Sequence, residues 1–177
     1  MINSLKVLFE EHDIISEAVD IARNAKKMIG MNNAEYESTI SEIIRFFRVY
    51  ADQYHHHKEE EILFPEMAKK NELLAEGILA EMYDNHAYFR ELIQAIEADL
   101  AQQKYINASL KIDQYTGALL DHIAVENEEL FQAAYSLFTE DELENICYRF
   151  MDLDRDLGEM KKKDFIDVLK QINNQLV

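Results

Sequence analysis

The sequence contains few of the residues that make turns, disulfides or thiolate clusters. Among 177 residues there are four glycines, one proline, one cysteine and no tryptophan. Because strand-rich folds need many turn residues, this scarcity favours long helices joined by few loops. The single cysteine, Cys147, excludes an intramolecular disulfide and a zinc site built from several thiolates.

Basic residues are scarce as well, and this limits the partners that we expect. Lysines and arginines together number 18 against 35 aspartates and glutamates, which gives a formal charge of −17. Such a charge repels phosphates, so we expect no nucleic acid and no membrane surface as a partner. No apolar run approaches the roughly 20 residues of a membrane span, and we expect no signal peptide. With 48 % apolar residues, the sequence predicts a soluble, cytoplasmic, all-helical protein with a sizeable core.

Apolar residues recur at helical spacing in four long runs. The runs are separated by breaks at residues 30–33, 70–71 and 103–107. Within the second run, Pro65 predicts a kink or a restart of the helix. In the fourth run, we expect Leu110 and Leu119 to point into the core. Short loops between long helices favour an antiparallel, up-down-up-down four-helix bundle over residues 1–138.

Residues 139–177 are predicted to form a short C-terminal extension of two helices. Thr139 and Glu142 have the spacing of a capping box, which predicts a helix from about residue 140. A polar stretch containing Gly158 follows, and a last amphipathic run ends the chain. A homodimer through these two helices is one hypothesis for the role of the extension.

Histidines and glutamates are expected to meet at one level of the bundle. His55 and Glu59 are four residues apart, as are His122 and Glu126, so each pair shares one helix face. Residues equidistant from a loop lie level across an antiparallel helical hairpin. The midpoints between successive members of the candidate set fall inside or beside the three breaks. The candidate metal ligands are His12, His55, Glu59, His86, His122 and Glu126.

This set of donors is typical of a site for two metal ions. Burying unpaired carboxylates is costly, whereas two divalent ions offset two glutamates and bind neutral imidazoles. Nitrogen and oxygen donors without thiolate favour iron, with manganese or zinc as alternatives. The register of the second helix stays open on spacing alone, because His56/Glu60 and His57/Glu61 repeat the spacing of His55/Glu59. The apolar phase of the helix favours His55.

These residues resemble the hemerythrin (HHE cation-binding) family. The resemblance rests on His12, on the run HHHKEEEILFP that ends at Pro65, on Asn85-His86, and on residues 121–127. It covers about residues 1–138 and implies a four-helix bundle with a non-haem di-iron centre, bridged by two carboxylates and an oxo or hydroxo group. The family pattern would place the ligands at the six candidate residues, with His55/Glu59 favoured over His56/Glu60.

The resemblance implies a protein that binds iron and handles dioxygen, nitric oxide or peroxide. Oxygen-carrying hemerythrins have a second histidine one turn after the ligand of the third helix, and Arg90 occupies that position here. This departure favours sensing, detoxification or a stress response over oxygen transport. The alternative is storage of iron, or its donation for the repair of iron–sulfur clusters. Arg90 is either a cation that stabilises a bound oxyanion or a surface side chain.

Overall fold

The computed structural model describes residues 5–176, apart from the side chains of residues 157, 159 and 160. Throughout this part of the chain the regular elements are helices and there is no strand. The all-helical prediction is therefore confirmed, and the helices form a bundle. Within residues 5–176, no helix is long and apolar enough to cross a membrane.

The first half of the chain contains two of the four long helices of the bundle. The first is α1 and ends in a short 3-10 turn. The second runs over residues 33–70 and contains two stretches of π-helix. The elements are α1 (Lys6–Ala25), the 3-10 turn (Lys26–Met28), α2 (Asn33–Phe46), the π-helical stretches Phe47–His56 and Glu59–Leu63, and α3 (Phe64–Lys70).

The second half contains the other two bundle helices and the extension. The third bundle helix is α5, which follows a single short helix, α4. The fourth runs over residues 105–137 and contains another π-helical stretch. The elements are α4 (Glu72–Glu76), α5 (Ile78–Ala101), α6 (Tyr105–Val125), the π-helical stretch Glu126–Leu130, α7 (Phe131–Leu137), α8 (Glu140–Leu157) and α9 (Glu159–Leu176).

The breaks between the helices follow the turn chemistry of the sequence. Gly30 adopts a left-handed φ of 82°, and the side chain of Asn32 accepts a hydrogen bond from the backbone N–H of Glu35 at the start of α2. Pro65 lies in the first turn of α3, where its missing N–H costs little, so the regular α-helix restarts there as predicted. Asn71 follows the end of α3, and its side chain accepts a hydrogen bond from the backbone N–H of Leu73 at the start of α4.

The apolar core is divided into two clusters by a layer of polar side chains. One cluster contains Val19, Ile43 and Leu119, and the other contains Leu8, Met82 and Leu130, all buried. In each bundle helix the predicted ligand lies between residues of the two clusters. The core prediction is wrong for Leu110, which is 60 % exposed.

The C-terminal extension packs on both clusters. Ile146 and Phe150 of α8 are buried with the cluster that contains Leu8, whereas Phe165 and Leu169 of α9 are buried with the other. Gly158, with φ at 87°, makes the turn between α8 and α9. The apolar face of the extension is therefore occupied by the bundle of the same chain.

Candidate metal centre

The six predicted ligands lie together in the buried polar layer. Each has 3 % or less of its surface exposed, and His56, which the preferred register left out, is equally buried. The donor atoms form two groups, within each of which all atoms lie no more than 4.8 Å from one another. The first group is His12, His55, Glu59 and Glu126, and the second is His56, Glu59, His86 and His122.

The first group joins the first, second and fourth bundle helices. The Nε2 atoms of His12 and His55 are 2.8 Å apart. Glu126 Oε2 is 3.2 Å from His12 Nε2, and Glu59 Oε1 is 3.6 Å from His55 Nε2. Two imidazoles and two carboxylates thus converge on one point.

The second group brings in the third bundle helix. The Nε2 atoms of His86 and His122 are 3.1 Å apart, and Glu59 Oε2 is 3.7 Å from His86 Nε2. The ring of His56 stacks on that of His86 with centroids 3.8 Å apart. Glu59 therefore presents one carboxylate oxygen to each group.

Glu126 also spans the two groups. Its Oε2 atom is 3.2 Å from His12 Nε2 in the first group and 3.2 Å from His122 Nε2 in the second. Two carboxylates between two clusters of imidazoles are the arrangement expected of bridging ligands.

The carboxylate oxygens of the layer lack hydrogen-bond partners. Both oxygens of Glu59 and both of Glu126 are buried and receive no hydrogen bond from the described residues. Burial raises the pKa of both carboxyls well above the usual value, and the neighbouring Glu126 charge contributes to the shift at Glu59. Orphaned carboxylate oxygens of this kind fit cations as their missing partners.

The histidines of the layer are neutral, as metal ligands must be. Burial lowers the pKa of His55 to about 3 and holds those of His56 and His122 well below the usual value. Neutral imidazoles offer a free nitrogen lone pair. The donor set therefore suits two divalent cations without the loss of a proton from any histidine.

Hydrogen bonds at Nδ1 aim the Nε2 atoms of three ligand histidines inward. His12 bonds to Asn127 Oδ1 at 2.8 Å, His55 to Glu11 Oε2 at 2.9 Å, and His86 to Glu60 Oε1 at 2.8 Å. Such outer partners fix the orientation of the ring and increase its basicity. The sequence analysis did not predict these roles. Two of the partners nevertheless lie beside predicted ligands, since Glu11 precedes His12 and Glu60 follows Glu59.

The histidine run of the second bundle helix contributes two members, not one. His55 and His56 both lie in the π-helical stretch Phe47–His56 and fall in different groups. His57 and Glu61 are exposed. The sequence prediction treated His55 and His56 as alternatives. In the structure both lie in the buried layer, within a π-helical stretch.

Arg90 lies at the rim of the layer. Its guanidinium donates to Asp52 Oδ1 at 2.8 Å and to Glu60 Oε1 at 2.9 Å, and its side chain is 40 % exposed. The same Glu60 oxygen bonds to His86 Nδ1. Arg90 therefore reaches the layer through a carboxylate that holds a candidate ligand.

The comparison with known families agrees with this geometry. Residues 3–134 match the family model described as hemerythrin HHE cation binding domain. The matched range contains both groups of donors and ends before α8 and α9. The chain matched no curated protein and no solved structure.

Proposed function

The chain belongs to the hemerythrin HHE cation-binding family, and on that premise we propose that it is a non-haem di-iron protein. It binds iron and handles dioxygen, nitric oxide or peroxide at a carboxylate-bridged centre. The observation that carries this proposal is the position of Glu59, which has one oxygen close to each of two imidazole groups. The same donors suit zinc or manganese, so the identity of the metal is part of the test.

The proposed ligands divide unequally between the two ions. His12 and His55 would hold one ion, three histidines would hold the other, and two glutamates lie between the two groups. The first ion would therefore have one imidazole fewer than the second. The full set is His12, His55, His56, Glu59, His86, His122 and Glu126.

Aromatic rings cover the imidazoles and restrict what can reach the layer. Phe131 stacks on His12 with centroids 5.5 Å apart, and Phe89 meets His122 edge-on at 5.2 Å. A cavity of about 20 Å³ beside His56 has room for one water-sized molecule. Its lining combines the aromatic rings of Phe89 and Tyr115 with the charged side chains of Arg48, Asp52 and Arg90. When bound, a pair of iron ions supplies redox and Lewis-acid chemistry. Burial of this kind favours small ligands over larger substrates.

We further propose that the four bundle helices alternate in direction. The first and fourth bundle helices are antiparallel, because later residues of one contact earlier residues of the other. His12 contacts Asn127, whereas Arg23 contacts Thr116. The second and third bundle helices are linked in the same sense, by Arg48–Glu97 and Glu60–Arg90. The third and fourth are also antiparallel, since His86 contacts His122 whereas the later Asp99 contacts the earlier Lys111. An up-down-up-down course is what brings donors from all four helices to one level.

The decisive experiment is elemental analysis of the purified protein together with its visible spectrum. We expect about two irons per chain and near-ultraviolet to blue absorption, because oxo-bridged ferric pairs absorb there. The anaerobically reduced protein is then mixed with dioxygen, nitric oxide or peroxide, and a spectral change is expected with at least one of them. Zinc alone, a single ion per chain, or no response to any of the three would overturn the proposal.

A matched pair of variants ties the metal to the site. Glu126→Gln removes a proposed bridging carboxylate, whereas Glu128→Gln makes the same charge change at an exposed position of the same π-helical stretch. We expect Glu126→Gln to lose metal and Glu128→Gln to keep it. Transfer of iron from the wild-type protein to an apo-ferredoxin, without reaction toward either gas, would favour iron donation instead.

A further inference from the structure

A cluster of charges, buried at its inner end and partly exposed at its outer end, joins the C-terminal extension to a candidate metal ligand. We propose that Asp154 of α8 and Lys162 of α9 are positioning residues of the metal centre, acting on His55 through Lys58 and Glu11. The inference rests on the proposed function, since it assigns a role toward the same two ions. Asp154 and Lys162 lie outside the range 3–134 that matches the family model.

The inner part of the cluster is the contact between His55, Glu11 and Lys58. Glu11 and Lys58 are fully buried. One oxygen of Glu11 accepts the hydrogen bond from His55 Nδ1 at 2.9 Å, and the other forms an ion pair with Lys58 Nζ. Glu11 is therefore a carboxylate shared between an imidazole and an ammonium.

The outer part of the cluster comes from the extension. Asp154 Oδ1 is 2.6 Å from Lys58 Nζ and accepts a hydrogen bond from the Tyr54 hydroxyl at 2.6 Å. Lys162 Nζ donates to the same hydroxyl at 3.1 Å and lies 3.5 Å from Glu11 Oε1. Lys58 Nζ also lies 3.8 Å from the centre of the Tyr54 ring. The two helices of the extension thus complete the surroundings of Lys58 and Glu11.

The charges of this cluster balance, and the balance sets how strongly Glu11 holds His55. Two carboxylates, Glu11 and Asp154, face two ammonium groups, Lys58 and Lys162. Without Asp154, the buried ammonium of Lys58 still has Glu11 as its carboxylate partner. It then attracts the negative charge of Glu11 more strongly. Glu11 then accepts a weaker hydrogen bond from His55 Nδ1. The imidazole is therefore held less firmly and is a weaker metal ligand.

Lys162 acts in the opposite direction. Its ammonium competes with His55 for the charge of Glu11 from the outer side. Removing it leaves more negative charge on Glu11 and strengthens the hydrogen bond to His55. The two residues of the extension therefore have effects of opposite sign on the same ligand, which loss of packing alone would not produce.

The test is an anaerobic titration of the metal-free protein with Co²⁺, followed by the visible spectrum of the bound ion. We expect two binding events in the wild type. Asp154→Asn should weaken one event about tenfold, in the range found for outer-partner mutations, and shift its spectrum. Lys162→Gln should tighten the same event about threefold, because partly exposed ion pairs contribute little. In both variants the other event should be unchanged.

Asp156→Asn is the matched control, since it makes the same charge change at an exposed position of α8. We expect it to bind Co²⁺ as the wild type does. If both cluster variants bind Co²⁺ like this control, or both weaken binding, the cluster only docks the extension and the proposal is wrong. If Asp154→Asn fails to fold, the sign of the Lys162→Gln effect decides alone. Failure of the proposed function is seen separately, as a wild type that does not bind two ions.

Discussion

His56 is the residue whose role depends most on the local shape of its helix. In an α-helix, neighbouring side chains point about 100° apart, so His55 and His56 would point toward different sides of the helix. The π-helical stretch that contains them has more residues per turn, and both rings enter the buried layer. His56 then supplies an imidazole to the group that contains His86.

We expect His56→Ala to lower the metal content toward one ion per chain. The variant removes one of three imidazoles from the second group, whereas His12 and His55 stay in place. Loss of a direct ligand should weaken that subsite by at least about tenfold, as even outer-partner mutations do. The measurement is metal stoichiometry after dialysis against a weak chelator.

His57→Ala is the natural comparison for this variant. His57 belongs to the same histidine run but is exposed, so its removal should leave two ions bound. Equal metal content in the two variants would mean that His56 is not a ligand.

The candidate site shows what residue spacing can and cannot predict. Six donors were predicted to meet because equal distances from a loop mean equal height in an antiparallel hairpin, and the structure places all six in one layer. The hydrogen bond from His55 to Glu11 could not be predicted. It depends on rotamers and on the exact separation of two helices, neither of which a sequence pattern specifies.

At the scale of helices, the sequence predicts ends better than interiors. Pro65, Asn71 and Thr139 mark boundaries by local chemistry, and each lies at a helix start or break. The π-helical stretches were missed because they are rare and apolar spacing does not distinguish their hydrogen-bond pattern from that of an α-helix. Leu110 was assigned to the core by periodicity alone, but it lies on the solvent side of α6, whereas Ala108 and Ile112 of the same turn are buried.

The start of α8 offers a test of local chemistry that leaves the metal layer untouched. Thr139 Oγ1 accepts a hydrogen bond from the Glu142 backbone N–H, and the Glu142 side chain accepts one from the Thr139 backbone N–H. We expect Thr139→Ala to lower the free energy of unfolding by about 1 kcal/mol. Chemical denaturation gives this value, and metal content should not change.

Ser136→Ala is a suitable control for the cap. The Ser136 side chain is exposed, and its hydroxyl donates to the Gln132 carbonyl of its own helix at 3.0 Å. Its removal should change the free energy of unfolding by less than about 0.5 kcal/mol. A cap variant no less stable than this control would show that α8 does not depend on the capping box.

For the whole molecule, the extension was the least predictable part. Its amphipathic helices require an apolar partner, but an amphipathic pattern does not say whether that partner is the same chain or a second copy. The structure places Phe150 on one core cluster and Phe165 on the other, on opposite sides of the metal layer. The extension thus spans the layer from outside, which is why it can reach Glu11 and Lys58.

The division of the core by a polar layer makes stability depend on what fills that layer. With ions bound, Glu59 and Glu126 have charged partners; without them, four buried oxygens receive no hydrogen bond from the described residues. A ligand that binds only the folded state stabilises it by about 4 kcal/mol at a thousandfold excess over its Kd. We therefore expect removal of metal to lower Tm by roughly 10 °C, at about 2–4 °C per kcal/mol for a chain of this size.

Calorimetry of metal-loaded and metal-free samples checks this expectation, and a double variant isolates its cause. Glu59→Gln with Glu126→Gln removes both proposed bridges while keeping the size of the side chains. Its metal-free form should be at least as stable as the metal-free wild type, because no carboxylate remains buried without a partner. Added metal should then leave its Tm unchanged. If the double variant gained as much Tm from metal as the wild type, the ions would lie outside the layer between the two core clusters.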